Sequence, residues 1–110
     1  MISTPRDPVL VHVLLVSFRA AATAEQRDWV YSACQTLAER CGGRDAGILH
    51  WQVDWNLDQR KNWHLVELAV FSDDAALRAF RTHPAHAEMS GVLREIADWA
   101  VGDILSTLLP

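Results

Sequence analysis

The sequence predicts an α+β domain in which a four-stranded antiparallel sheet carries all of its helices on one face. Three observations point there. Strand-like and helix-like stretches follow one another in the order β-α-β-β-α-α-β. The two middle strands are separated only by a polar turn, so they form a hairpin. The chain has 110 residues, half of them hydrophobic, which suits a single core and is too short for two.

A polar lead over residues 1–8, with Pro5 and Pro8, is expected to be disordered, and residues 9–110 to form the single domain. Val9–Phe18 (VLVHVLLVSF) is β-branched and apolar at both parities, so both of its faces should be covered. His12 is its one polar interruption. Thr23-Ala24-Glu25-Gln26 has the capping-box pattern and starts a helix. Val30, Ala33, Cys34, Leu37, Ala38 and Cys41 give that helix one apolar stripe. Gly42-Gly43 ends it, because glycine tolerates the left-handed turn past a helix. Gly47–Trp55 alternates, with Leu49, Trp51, Val53 and Trp55 on one side and His50, Gln52 and Asp54 on the other. Asn56–Asn62 is the hairpin turn and Trp63–Phe71 the returning strand.

Ser72-Asp73-Asp74 places carboxylates at the positive end of the next helix, whose short apolar face holds Leu77 and Phe80. Pro84 breaks that run and is well placed to begin another. The second segment, from about Pro84 to Ala97, has Met89, Val92, Leu93 and Ile96 on its apolar face. A last strand covers Trp99–Leu105.

A right-handed crossover followed by a hairpin puts the helices on one side of the sheet, which is the ferredoxin-like arrangement. The other side is left open. It would carry Trp63, Leu65, Ala69 and Phe71, or their alternates, into water. Pairing with a second copy, sheet against sheet, closes a barrel and removes the exposure. The expected partner is therefore the chain itself.

Charge and composition narrow the function classes. The formal net charge is -4, and there is no basic run to act as a nucleic-acid footprint. The apolar stretches are strand-length and not membrane-length. The N-terminus has no hydrophobic segment of the secretory kind. Cys34 and Cys41 lie two helical turns apart, roughly 10 Å, a gap that a disulfide does not span. They read as small core residues of a cytoplasmic protein.

Specific residues add a resemblance. VHVLLVSF (Val11–Phe18), GILHWQVDWNL (Gly47–Leu57) and above all THPAHAEM (Thr82–Met89), followed by a closing strand with Asp103, make the chain similar to the stress-responsive A/B barrel, or Dabb, family of dimeric α+β barrels. Members of that family include plant polyketide cyclases. The resemblance implies that the second histidine of His-Pro-x-His, here His86, is the base, and that His12 and His64 line the same pocket. The cyclases also carry a pocket tyrosine on the short helix, where this chain has Phe80, and another on the first helix, where it has Cys34. Tyr31, one turn before Cys34, is the only phenol available to replace them. Phe80, Tyr31, Cys34 and Met89 are accordingly the candidate substrate contacts.

The residues can be weighed without the family. Neutral imidazole, with an unperturbed pKa near 6.5, is the natural base near pH 7. Taken singly, His12 and His64 read as satisfied core histidines. If His86 points inward and all three converge, the meeting place is the helix-facing side of the sheet. His83, before Pro84, is disfavoured in helical geometry and reads as a cap or turn. His83 and His86 are three apart, but neither cysteine has zinc-like spacing, and no metal is expected. The tryptophans suit a core and an interface better than a substrate pocket. No Ser-His-Asp spacing or glycine-rich phosphate loop is present.

The expected activity is a cofactor-free lyase or cyclase acting on a small carbonyl compound, with His86 as base and His12 or His64 binding the oxyanion. Two alternatives come from other classes: a monooxygenase or haem-related enzyme, and a non-catalytic stress or assembly protein. The open sheet face gives the first testable outcome. Sedimentation at micromolar concentration should return about twice the 12.3 kDa chain mass, and a clean monomer would defeat the barrel.

Overall fold

A computed structural model describes residues 7–107. Most of the expected polar lead lies outside them. The elements are β1 (Val9–Phe18), α1 (Ala24–Arg40), a 3₁₀ turn (Gly43–Ala46), β2 (Ile48–Trp55), β3 (Leu65–Phe71), α2 (Asp74–Thr82), α3 (Pro84–Ile96) and β4 (Ala97–Ser106). The strands lie in the order β2-β3-β1-β4, each antiparallel to its neighbours. This is the ferredoxin-like fold.

Local chemistry sets the boundaries. Thr23 Oγ1 accepts the Gln26 backbone N–H at 3.1 Å, and Gln26 Oε1 accepts that of Thr23 at 2.8 Å, so two N–H groups of the first turn of α1 are satisfied reciprocally. The helix stops where Gly42 takes φ +105°, a conformation costly to any side chain. Asp73 caps α2 by accepting the Ala76 N–H at 2.8 Å. His83 has an extended backbone and caps α3, its Nδ1 accepting the Ala85 N–H at 3.1 Å. Pro84 then occupies the first helical position, where it has no donor to lose.

The register shows what each strand buries. His12 lies between Ala69 of β3 and Asp103 of β4, while Leu14 lies opposite Glu67. With period-two alternation, Leu10, His12, Leu14 and Val16 share a face with Leu65, Glu67, Ala69 and Phe71. That face packs under the helices, with Val30, Cys34, Leu37, Leu77, Phe80, Met89, Leu93 and Ile96. The opposite face presents Val11, Val13, Leu15, Val66, Leu68 and Val70, with Ile104 at the β4 side.

Two sequence expectations are corrected here. Leu65, Ala69 and Phe71 point to the helices and are fully buried in the chain by itself; their alternates form the open face. Trp63 precedes β3 altogether. The reason is that β3 is apolar at both parities, so the pattern could not choose a side. In β2 a bulge between Ile48 and His50 places Ile48, and not Leu49, against Phe71 and in the core. An extra residue in one strand reverses the parity beyond it.

The corrected faces give a paired outcome. Phe71→Asp should prevent folding, because a carboxylate without a partner would lie in the core. Leu68→Asp, on the open face and 37 % exposed in the single chain, should keep the circular dichroism of a folded protein while the sedimenting mass halves.

Candidate functional site

Three strands and two helices bring polar side chains into one place under the helices. His12 stands in the middle of β1. On one side its Nδ1 lies 2.6 Å from Asp103 Oδ1 of β4, and on the other its Nε2 lies 3.3 Å from Glu67 Oε2 of β3. Arg81 of α2 holds the far oxygen of Asp103, Nη2 to Oδ2 at 3.2 Å. The side chains of His12 and Glu67 are only 6 % and 5 % exposed. Burial works against a charge on His12, but the carboxylates of Glu67 and Asp103 outweigh it and raise its pKa above the ordinary 6.5.

A cavity of about 480 Å³ opens over this group. Its sheet wall carries His12, Leu14, Glu67, Trp99 and Val101. Its helix wall carries Phe80, Arg81, His86, Ser90, Leu93 and Arg94. His86 lies in the first turn of α3. Its Nδ1 is 3.2 Å from Ser90 Oγ, one turn on, and its ring meets Phe80 edge-on with centroids 4.7 Å apart. Burial, then the charges of His12 and Arg81, lower its pKa. Near neutral pH His86 is therefore an uncharged imidazole able to accept a proton, across a cavity from His12, whose carboxylate neighbours favour its protonated form.

The other candidate residues lie elsewhere. His64 does not line this cavity. It sits just before β3, accepts the Phe18 backbone N–H on Nδ1 at 2.9 Å and stacks on the Phe18 ring. Burial and the nearby Arg27 lower its pKa. It ties the end of β1 to the hairpin. Tyr31 stacks on Trp55 at 4.9 Å and its hydroxyl donates to Asp54 at 3.4 Å, at the β2 edge of the sheet. Cys34 is buried in the core; burial, with Glu67 nearby, pushes its thiol up to about 12, and its carbonyl accepts the Trp51 indole N–H at 2.9 Å. Met89 fills the helix–sheet layer. Phe80 does line the cavity, and it also packs on Phe71 and Trp51.

From the sequence alone, Glu67, Arg81 and Ser90 had no role, Asp103 was only a mark of the resemblance, and Trp99 stood with the other tryptophans in core or interface. Glu67 left one usable signal: it is the sole acid in an otherwise apolar strand, LVELAVF. Asp103 becomes His12's partner only through the β1–β4 register, which no local pattern reveals. Among the described residues no group of three or more His, Cys, Asp or Glu side chains is arranged to hold a metal ion. No helix among them is long and apolar enough to cross a membrane.

A four-stranded antiparallel sheet covered on one face, with a histidine-lined hollow between sheet and helices, defines an α+β barrel subunit. Residues 10–105 match the stress responsive A/B barrel domain, Dabb, and the chain belongs to that family. An uncharacterized protein of Streptomyces coelicolor is 32 % identical over 63 residues, 56 % of this chain and 65 % of that protein. The chain thus spans about two thirds of that relative's length. Among solved structures, a dimeric ferredoxin-like protein of unknown function from Thermobifida fusca superposes with a TM-score of 0.78 at 16 % identity, covering 90 % of this chain and 92 % of the other. SnoaB, a cofactor-independent oxygenase from Streptomyces nogalater, gives 0.67 at 16 % identity, covering 91 % and 94 %. At these identities the superpositions show a shared fold.

The buried pairing has a consequence for stability. His12→Gln leaves Glu67 without its partner and Asp103 with Arg81 alone, at a cost of about 3–5 kcal/mol. The folded pKa of His12 is raised, so the stability it confers is complete below about pH 6.5 and is lost as pH rises through the folded value. The difference in urea midpoint between the native protein and His12→Gln should therefore be largest near pH 6 and shrink toward pH 9.

Proposed function

We propose that this protein is a cofactor-free lyase or cyclase that moves protons on a small carbonyl compound of the polyketide type. The observation that carries the reading is the placement of His86 and the carboxylate-paired His12 on opposite walls of one cavity. Groups of like kind whose surroundings push their proton affinities apart are suited to act as base and acid in the same step. His86, free of positive charge, takes a proton from the carbon next to the carbonyl. The carboxylate-flanked His12 on the opposite wall holds a proton for the oxygen that gains charge as the first proton leaves. Phe80, Leu14, Leu93, Trp99 and Val101 supply the apolar surface that holds the carbon skeleton. His64 and Tyr31, lying outside the cavity, serve packing, and Cys34 is too poor a thiolate source to act as a nucleophile. The reading includes a homodimer, closed through the open apolar sheet face, and a cytoplasmic location.

A second reading draws on the likeness to a cofactor-independent oxygenase. The same proton removal leaves an electron-rich carbanion, which dioxygen can oxidise directly. Oxygen uptake with turnover would select it over the cyclase.

The test is turnover of linear β-polyketone thioesters, read as cyclised product. His86→Ala should lower kcat by roughly 10²-fold or more while the fold survives. His86→Gln should fail similarly, since an amide keeps hydrogen bonding but takes no proton. Full turnover by either variant would remove His86 from the chemistry.

A further inference from the structure

His12 has no hand free for a substrate. An imidazole ring has two nitrogens, and here one faces Asp103 at 2.6 Å while the other faces Glu67 at 3.3 Å. A direct hydrogen bond from His12 to a substrate oxygen would require Glu67 to give up its place. Glu67 itself is differently placed. It lines the cavity, and among the described residues its one ionic partner is His12. A buried carboxylate paired with histidine is not needed for packing, because an apolar residue of similar volume would fill the layer at least as well. What Glu67 adds is a proton-carrying oxygen at the cavity wall, backed by the histidine that can supply the proton.

We infer that Glu67 is the second proton-transfer residue of this cavity, meeting the substrate's carbonyl oxygen and passing to it the proton held by His12. The inference rests on the reading of His86 as base. The step balances. His86 Nε2 takes the proton from the carbon next to the carbonyl, and the electron pair of that C–H bond becomes the enol C=C. Glu67, receiving a proton from His12 Nε2, delivers one to the carbonyl oxygen. The ketone becomes its enol, His86 becomes cationic and His12 neutral. One positive charge has crossed the cavity and its total charge is unchanged. Running the same transfers backwards with the proton returned to a different carbon gives an isomerisation; attack of the enol carbon on a second carbonyl of the same molecule gives a ring.

The groups around the relay fit this assignment. From β4, Asp103 holds His12 Nδ1 and keeps the ring aimed at Glu67. From α2, Arg81 offsets Asp103. From α3, His86 faces the pair across the hollow. From α1, Cys34 stays a neutral thiol. Asp103 is thus a positioning residue, acting only through His12.

The probe is phenylacetone in D₂O, its α-proton exchange followed by proton NMR, alongside a ¹⁵N titration of the histidines. The native protein should accelerate exchange, and Glu67→Gln should lose roughly 10²-fold of that acceleration with its circular dichroism unchanged. In the titration the pKa of His12 should fall in Glu67→Gln. Asp103→Asn should move the alkaline limb of the exchange rate to lower pH and leave KM unchanged. Full exchange by Glu67→Gln alongside loss in His86→Ala would overturn the role of Glu67 and leave the base reading intact. A His12 titration identical in the native protein and Glu67→Gln would overturn the relay whatever the rates. No acceleration by the native protein would overturn both readings. If Glu67→Gln does not fold, Glu67→Asp carries the test. It keeps the charge but withdraws it by one methylene, and undiminished exchange there would equally overturn the proposal.

Discussion

Glu67, His12 and Asp103 lie side by side on three neighbouring strands, and the rest of the structure is arranged around keeping charge in that place. Two carboxylates and one imidazolium leave a negative excess under the helices, which Arg81 offsets from α2. Each partner comes from a different element, so the group exists only when β3, β1 and β4 are in register and α2 is docked. A slip of one residue in either strand pairing would turn the carboxylates to the opposite face and leave His12 buried alone. The polar group thus makes the correct register the one with least buried charge uncompensated, while the apolar layer around it, from Phe71 to Leu93, supplies most of the driving force.

The fold was readable because its signals are local. The Thr23–Gln26 box, the Gly42 stop and the Asp73 and Pro84 starts each depend on a few adjacent residues, and each sits where the sequence placed it. The faces of β3 were not readable, because Val66, Leu68 and Val70 are as apolar as Leu65, Ala69 and Phe71. The site divides along the same line. His86 and Phe80 were legible because a short motif fixes them on the helices over the sheet. Glu67 and Asp103 were missed because their meaning comes from the residue across the strand. His64 was drawn toward the cavity by analogy, yet it ends up capping the edge of β1, since it falls just before β3 begins.

Where the resemblance puts pocket phenols in the family's cyclases, this chain has Phe80 at the cavity and Cys34 in the core away from it. Phenol hydroxyls are replaced by the ring of Phe80 and the buried thiol of Cys34, neither of which donates a useful proton at neutral pH. On the sheet side the carboxylates of Glu67 and Asp103 lie beside His12.

The interruption between α2 and α3 has an electrical effect as well as a steric one. Because His83 caps and Pro84 begins a new helix, His86 falls at the third position of α3, in the first turn, at the positive end of the helix dipole. In an unbroken helix the same ring would sit mid-span, where the end charge is absent. A proton bound there would meet less repulsion. The proline, by choosing where a helix starts, helps keep the imidazole two residues later ready to accept one.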